Sequence, residues 1–204
     1  MNNKSINWKD PLYLEHSLSE EEKNILLTAK EFCVNNLLPR VKEDNKNKYF
    51  DKDLYKEFGK LGFLGSSIKG YECAGASNIA YGLIAKEFES IDSGYRSAIS
   101  VQSSLVMYPI YKFGNEEQKN NYLPRLSSGE LIGSFGLTES EAGSDPKSIK
   151  TYFKENKEGY IINGSKNWIT NATIADIFII WAKNEKGLIK GFIVEKKDKG
   201  LSTK

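Results

Sequence analysis

The chain has 204 residues, enough to bury a substantial hydrophobic core in one domain or in two modest ones. Apolar residues make up 39% and charged residues 27%, proportions that are ordinary for a soluble globular protein. A net charge of only +2 argues against nucleic acid as a partner, and two cysteines with one histidine leave zinc, haem and iron–sulfur sites without enough ligands.

The amino terminus, MNNKSINWKDPLYLEHSLSEEEK, contains neither an apolar signal core nor an arginine-rich transit sequence. No stretch approaches the ~18 continuous apolar residues that a membrane span requires. Cys33 and Cys73 are better interpreted as thiols in a reducing compartment than as a structural disulfide, although the disulfide stays open. These features predict a cytoplasmic protein, or a mitochondrial matrix protein if the source is eukaryotic.

Apolar residues recur at helical spacing from about residue 18 to residue 128. Ser19 can cap the first helix because three glutamates fill the turn that follows it. The apolar face of this helix consists of Ile25, Leu26, Ala29, Phe32 and Cys33. Pro39 should end the helix or mark its boundary.

Further helices are predicted over residues 51–61, 77–91 and 94–113. Because Pro109 lies inside the last of these, we expect a break near Tyr108. A short helix capped by Asn115 follows, and a Ser-Ser-Gly sequence closes the helical region.

After Glu130 the pattern changes to short β-branched and aromatic runs separated by turn residues. The predicted strands are residues 132–138, 149–154, 160–162, 167–170, 177–181 and 189–194. Their spacing favours an antiparallel meander or barrel, and hence an α+β fold with a helical domain at 1–131 and a β-domain at 132–204. No closing element precedes Lys204, so we expect this β-domain to be incomplete, with an unpaired edge.

The segment FGLTESEAGSD, Phe135 to Asp145, is a predicted strand followed by a loop of small and polar residues. Gly143 allows close backbone approach, and Ser144 with exposed N–H groups could cradle an anion such as a pyrophosphate. By spacing alone, a strand followed by an ordinary Gly/Ser turn is the favoured interpretation of the segment. The chain contains no Rossmann fingerprint and no P-loop, so a bound dinucleotide would have to be held in another way.

The segment NGSKNWITN, Asn163 to Asn171, is predicted to turn at Asn163-Gly164 and enter a strand. Alternation would place Trp168 and Thr170 on one face of that strand. An indole can lie against an isoalloxazine ring while the hydroxyl donates to a ring nitrogen. Taken by itself, however, the segment is better interpreted as a Trp/Thr cross-strand pair on a half-buried sheet that binds no ligand.

In the run from Lys86 to Ser104, three charged residues, Glu89, Asp92 and Arg96, recur at helical spacing. A solvated ion network is the simplest interpretation. However, small neighbours leave room beside the Arg96 guanidinium, which could then clamp a carboxylate with two hydrogen bonds.

Together these segments resemble the acyl-CoA dehydrogenase family, and most closely its glutaryl-CoA branch. FGLTESEAGSDPKS is similar to the first signature of the family, and KNWITN to its flavin-stacking strand. The run YGLIAKEFESIDSGYRSAISVQSSLVMYPIYKF and the opening NWKDPLYLEHSLSEEE resemble the glutaryl-CoA branch. The resemblance covers essentially the entire chain.

The resemblance implies a helical domain, a β-domain and a second helical domain that is absent here, with FAD bound in the cleft of a homotetramer. It places Thr138 near the pyrimidine side of the flavin, Ser144 near the pyrophosphate and the thioester, and the Thr170 hydroxyl at flavin N5. The implied cofactor-binding residues are Phe135, Gly136, Leu137, Thr138, Glu139, Gly143, Ser144, Trp168, Ile169 and Thr170.

For the substrate, the resemblance implies that Arg96 and Ser97 receive the distal carboxylate of glutaryl-CoA, with Glu89 as an acidic neighbour. A cation facing an apolar acyl tail would be costly, which also favours a dicarboxylic substrate. The implied reaction removes the alpha proton, transfers the beta hydride to flavin N5 and releases CO2 to give crotonyl-CoA. Electrons would pass to an electron-transfer flavoprotein, in lysine and tryptophan degradation.

The family's catalytic base is a glutamate of the second helical domain, so no residue of this chain inherits that role, and we expect the chain alone to be inactive. Ser140-Glu141 also departs from the family pattern, which often has a proline and a small residue there. The open alternatives are a short-chain acyl-CoA dehydrogenase, a non-catalytic flavin- and acyl-CoA-binding half that needs a separate C-terminal partner, and a purely structural protein.

Overall fold

A computed structural model describes Trp8, residues 10–157 and residues 159–203. The parts of the sequence predictions that concern residues 1–7, Lys9, Glu158 and Lys204 lie outside these ranges. The described residues contain no helix that is both long and apolar enough to cross a lipid bilayer.

Helices occupy the first part of the chain, as the apolar periodicity predicted. Serine and asparagine begin the two best-capped helices, because Ser19 and Glu22 form one capping box and Asn115 and Gln118 form another. The helices are α1 Glu20–Phe32, α2 Leu38–Asn47, α3 Leu54–Lys60, α4 Asn78–Glu89, α5 Ser93–Ser100, α6 Tyr108–Phe113 and α7 Glu116–Ser127.

Both prolines expected to interrupt helices lie at the start of a new helix, and the path of the chain stays helical before them. Pro39 follows a π-helical turn, Cys33–Leu37, and Pro109 follows a longer π-helical segment, Val101–Met107. Proline is tolerated in a first helical turn because its missing N–H has no intrahelical partner there. The wider π turns join the helices, and the new helices begin at Leu38 and Tyr108, as expected for a boundary at Pro39 and a break near Tyr108.

The core of the helical region is aromatic. Phe32, Phe58, Phe63 and Phe88 are all buried, and their rings meet mostly edge to face at centroid separations of 5.1 to 6.2 Å. Cys33 packs against the same cluster and, like Cys73, is a free thiol. Burial raises the pKa of the Cys33 thiol to about 12, so it serves as an apolar core residue rather than a nucleophile.

One sheet of five strands follows the helices. The strands are β1 Gly133–Gly136, β2 Tyr152–Asn156, β3 Gly159–Asn163, β4 Ile177–Lys183 and β5 Ile189–Glu195. β4 pairs antiparallel with β5 along its whole length, and β1 pairs parallel with the first half of β4. β2 joins the last residue of β4 in parallel and forms an antiparallel hairpin with β3.

The α+β class, a helical part followed by a sheet, is therefore confirmed, but the sheet is mixed rather than antiparallel. The parallel β1–β4 pair is possible because forty residues, 137–176, which include the β2–β3 hairpin, separate the two strands in the chain. Parallel pairing requires such a crossover, and spacing between neighbouring short strands cannot reveal it.

Gln102, in the second π-helical segment, joins the helices to the sheet. Its side chain is fully buried, and its amide group donates to the carbonyls of Leu126 and Leu131 at 3.0 and 2.8 Å. Its oxygen accepts from the N–H of Gly133 at 2.7 Å. Gly133 lies so close to the π-helical segment that a Cβ there would meet the side chain of Val106 at 2.5 Å. These contacts fix β1, and with it the loop that follows β1, against the helical region.

Candidate functional site

Two loops from different parts of the sheet meet at one edge of the molecule. We call residues 137–145, which follow β1, the Thr138 loop, and residues 164–173, which follow β3, the Trp168 loop. The N–H of Asn167 donates to the Thr138 carbonyl at 2.9 Å, and the Lys166 ammonium donates to the Leu137 carbonyl at 3.0 Å. The two segments that resembled flavin-binding motifs are therefore neighbours in space.

Residues 167–170 do not form the strand that the sequence predicted. Trp168 has a backbone φ of 59°, in the left-handed region that aromatic residues rarely adopt. The neighbouring Asn167 hydrogen bonds to the Thr138 loop instead of a sheet ladder, and Ser134 donates from its hydroxyl to the Thr170 carbonyl at 2.7 Å. The predicted shared face of Trp168 and Thr170 therefore cannot be argued from strand alternation.

Trp168 is the most exposed large hydrophobic side chain among the described residues, with 92% of its surface accessible. Tryptophan normally buries most of its surface area. An exposed indole on a loop that is held by hydrogen bonds is therefore suited to stack on a flat ligand. Gly143, Ser144 and Thr170 of the same two loops are also exposed, and a Cβ at Gly143 would meet nothing within 4 Å. The chemistry of the two loops thus fits a planar aromatic ring that carries an anionic tail.

The remaining predicted cofactor-binding residues differ in how deeply they are buried. Leu137, Thr138 and Ile169 are half-buried, and Gly136 is buried in β1. The ring of Phe135 packs edge to face on Trp181, with centroids 6.1 Å apart, so that side chain is engaged inside the protein.

Glu139 also points inward. Its carboxylate accepts hydrogen bonds from the N–H groups of Lys150 and Thr151, at 2.6 and 3.0 Å, and from the Lys166 ammonium at 2.7 Å. Burial works to raise the pKa of this carboxyl, but the hydrogen bonds outweigh it and lower the pKa to about 2. Burial lowers the pKa of Lys166, and its bond to Glu139 opposes that shift.

The predicted substrate residues lie at the junction of α4 and α5. Arg96 donates from Nε to a carboxylate oxygen of Glu89 at 2.6 Å, and both side chains are substantially exposed. Glu89 also accepts from the Ser93 hydroxyl, and these hydrogen bonds lower its pKa. Asp92 does not join the network, because it caps α5 and accepts from the side chain of Asn45. Ser97 is half-buried beside Arg96.

A short chain of hydrogen bonds connects α5 to the Trp168 loop. The side chain of Asn171 donates to the Tyr55 hydroxyl at 2.7 Å and to the Gly133 carbonyl at 3.1 Å. Tyr55, which is fully buried, donates to the carbonyl of Ala98 in α5 at 3.2 Å. Burial raises the pKa of Tyr55, so the hydroxyl stays protonated and available as a donor. The helix that carries Arg96 and Ser97 is thereby tied to the loop that carries Trp168.

Sequence reasoning missed three of these residues as parts of the site: Tyr55, Lys166 and Asn171. Tyr55 lies in the helix predicted over residues 51–61 from apolar periodicity, and nothing in its local sequence indicates a partner 116 positions away. Lys166 is one of many lysines in the chain, and it lies in the loop that follows β3. Its only local signal is its position beside the exposed Trp168, which becomes informative once the loop is known not to be a strand.

Comparisons with known proteins match both regions of the chain. The family model for the acyl-CoA dehydrogenase N-terminal domain matches residues 19–130, and the model for the acyl-CoA dehydrogenase middle domain matches residues 134–204. A probable acyl-CoA dehydrogenase of Bacillus subtilis is 36% identical over 202 residues, which cover 95% of this chain and 33% of that protein. The mitochondrial isovaleryl-CoA dehydrogenase of Pongo abelii is 34% identical over 92% of this chain and 47% of its own length.

Among solved structures, a glutaryl-CoA dehydrogenase from Mycobacterium smegmatis in complex with FADH2 superimposes with a TM-score of 0.90. It is 42% identical, and the match covers 93% of this chain and 49% of that chain. The chain thus spans between a third and a half of the length of these relatives.

Proposed function

The chain belongs to the acyl-CoA dehydrogenase family, and from that premise we propose that its two neighbouring loops hold FAD for the oxidation of an acyl-CoA thioester. The division into a helical domain, residues 1–131, and a β-domain, residues 132–204, is part of this proposal. We also propose that the protein is located in the cytoplasm or the mitochondrial matrix.

The main support for the proposal is the exposed side chain of Trp168, on a loop that hydrogen bonds hold to the Thr138 loop and to β1. Trp168, with Ile169 and Thr170, would cover the ring, and the residues from Phe135 to Glu139 would line it through their backbone. Gly143 and Ser144 would receive the pyrophosphate. When bound, FAD supplies the hydride acceptor. The Thr170 hydroxyl, which makes no hydrogen bond within the described ranges, would donate to it.

The test is a titration of the purified chain with FAD, in which quenching of the flavin fluorescence reports binding. We expect the chain to be colourless as purified and to bind FAD weakly, because the chain spans about half of the related flavoenzymes. Trp168→Ala should weaken binding by about 2- to 10-fold, the value of an aromatic stacking contact. The matched control is Trp8→Ala, since Trp8 is also exposed, at 81%. Equal effects of the two substitutions would contradict the assignment of Trp168.

For the substrate we propose glutaryl-CoA, converted to crotonyl-CoA and CO2 by the complete protein, with Arg96 and Ser97 receiving the distal carboxylate. Glu89 and Ser144 complete the proposed substrate residues. The support is the resemblance of the α4–α5 run and the 42% identity to a glutaryl-CoA dehydrogenase. The Arg96–Glu89 pair is exposed, so exchange of Glu89 for a substrate carboxylate requires little rearrangement. No residue of the chain is proposed as the catalytic base.

In a protein that includes this chain and a C-terminal half, Arg96→Met should reduce turnover of glutaryl-CoA far more than turnover of butyryl-CoA. Arg125→Met is a matched control, because Arg125 is another exposed arginine that pairs with a glutamate, Glu130. Equal losses on both substrates would remove the carboxylate-clamp assignment while leaving the FAD proposal intact.

A short-chain or branched-chain monocarboxylic acyl-CoA is the second candidate substrate. It is favoured by the identity to isovaleryl-CoA dehydrogenase and by the fact that Glu89 already neutralises Arg96. Preferential turnover of butyryl-CoA over glutaryl-CoA would establish it.

A non-catalytic half that works with a separate C-terminal polypeptide is a further alternative, and restoration of tight FAD binding on co-expression would support it. We further propose that an electron-transfer flavoprotein accepts the electrons and that the complete enzyme is a homotetramer.

A further inference from the structure

The ion pair between Glu139 and Lys166 differs from the others in the described part of the chain. Its two side chains are each only 8% exposed, whereas the Arg96–Glu89 pair has 37% and 46% exposed and the nearby Lys150–Glu141 pair has 73% and 68%. Exposed pairs contribute little because water and salt screen them. A buried pair is costly to form and is strongly destabilising to break, so its presence at this edge of the sheet calls for a physical role.

The geometry connects three segments through this one pair. Lys166, in the Trp168 loop, donates to the Leu137 carbonyl and to the Glu139 carboxylate, both in the Thr138 loop. Glu139 in turn accepts from the N–H groups of Lys150 and Thr151, which lead into β2. The carboxylate therefore fixes the Thr138 loop to the sheet, and the ammonium fixes the Trp168 loop to the Thr138 loop.

The left-handed backbone conformation of Trp168 indicates what these contacts stabilise. A non-glycine residue in the left-handed region is strained and persists only where the surrounding structure enforces it. Trp168 lies two positions after Lys166, and the intervening Asn167 donates to the Thr138 carbonyl. The anchor on one side of Trp168 is thus the Lys166–Asn167 attachment to the Thr138 loop.

We propose that Glu139 and Lys166 are positioning residues that hold Trp168 in its exposed, strained conformation before any ligand is bound. Neither side chain faces the ligand surface, and both act through the loop backbone. The role of this conformation in FAD binding rests on the function proposed above. The role of the ion pair in holding the loop does not, and it can be tested on the chain without FAD.

The first measurement is amide hydrogen exchange of the Thr138 and Trp168 loops in Glu139→Gln. A glutamine cannot accept from the two N–H groups and the ammonium together, and its amide would face one of these donors. Lys166 would then be a buried cation without an anion. We expect exchange in both loops to accelerate by about tenfold or more, while the helical core stays protected. Glu141→Gln is the matched control, and it should leave exchange unchanged because the Lys150–Glu141 pair is exposed.

The second measurement separates positioning from general stability. In a chain labelled with 5-fluorotryptophan, the Trp168 resonance, assigned with Trp168→Phe, should shift or broaden in Glu139→Gln, and the Trp181 resonance should not. Lys166→Met should have a smaller effect, because Glu139 keeps both N–H donors. The double variant Glu139→Gln/Lys166→Met should recover part of the wild-type signal, since it removes the unpaired buried cation.

FAD titration of the same variants forms the final measurement. We expect Glu139→Gln to weaken binding about as much as Trp168→Ala does, and Glu141→Gln to leave it unchanged. If the loops of Glu139→Gln exchange as slowly as in the wild type, or if the Trp168 resonance does not respond, the positioning role is wrong whatever the affinity for FAD. If the loops loosen but no variant of the chain, wild type included, binds FAD, the positioning role stands and the proposed function fails.

Discussion

The helical region and the outer part of the sheet are stabilised in different ways. In the helical region, aromatic side chains such as Phe58 and Phe88 are completely buried and contact one another. In the β2–β3 hairpin, large side chains including Tyr160 and Ile161 remain about half exposed, and only Phe153 is buried in β2. The sheet is well buried only at β1 and β4, which pack against the π-helical segment Val101–Met107.

This difference indicates that the helical region is the rigid support and that the candidate site lies at its margin. The Thr138 loop leaves the buried strand β1, and the Trp168 loop leaves the exposed strand β3. Because one loop begins on the rigid side and the other on the loosely packed side, polar contacts such as Lys166 with Glu139 must join them. Substitutions in the two regions should therefore have effects of very different size.

The largest effect is expected for Phe58→Ala in the aromatic core. Removal of a fully buried phenylalanine loses its transfer free energy and leaves a cavity, which together cost about 3–5 kcal/mol. Urea denaturation followed by circular dichroism measures this loss. Phe113→Ala is the control, because Phe113 is 79% exposed, and it should leave the denaturation midpoint nearly unchanged. Similar losses in both variants would refute the view that the helical core is the rigid support.

Gln102→Leu should rank next, because it tests the joint between the two regions. The leucine fills a similar volume but leaves the Gly133 N–H and the Leu131 carbonyl without their partner. The Leu126 carbonyl loses one donor but still accepts from the Gly129 N–H at 3.3 Å. Each buried polar group left unpaired costs about 1–3 kcal/mol, so we expect a loss on the order of 3 kcal/mol. Hydrogen exchange should show β1 losing protection more than α1. Equal loss of protection in both elements would contradict a local role.

A smaller, pH-dependent effect is expected at Glu139. Its pKa is about 2 in the folded chain, below the ordinary value of 4.5, so the folded state favours the charged carboxylate. The resulting stabilisation is present above pH 4.5 and is lost as the pH falls from 4.5 towards 2. This stabilisation is on the order of 2 kcal/mol.

Denaturation of the wild type and of Glu139→Gln across that pH range provides the measurement. The two proteins should converge in stability as the pH falls, because protonation abolishes the advantage of the carboxylate. A constant difference between them at every pH would show that charge at Glu139 is not involved.

The smallest effect is expected for Arg96→Met, which breaks the exposed ion pair with Glu89. Exposed pairs contribute little to folding, so the melting temperature should stay close to that of the wild type. A marked fall in melting temperature would indicate that Arg96 supports the fold, and it would weaken the proposal that this arginine is kept for a substrate carboxylate. Differential scanning calorimetry at low and high salt measures both the size and the screening of the effect.

Much of the helical region could be predicted because its signals are local. The capping residues Ser19 and Asn115 and the apolar face of α1 lie within a few positions of the groups they contact, so periodicity and cap chemistry suffice. Four of the predicted strands correspond closely to β1, β3, β4 and β5, and a fifth overlaps β2. The candidate ligand-binding loops were found through resemblance, since spacing alone explained each of them without a ligand.

The sequence by itself determined which segments are helical, where the chain changes to strands, and which two segments carry the candidate cofactor-binding residues. Only the tertiary structure decided that β1 and β4 run parallel, that residues 167–170 are a loop, and that Glu139 faces inward to Lys166. The reason is that these features depend on partners distant in the chain. A hydrogen bond such as the one from Asn171 to Tyr55 joins residues 116 positions apart and leaves no trace in local propensity.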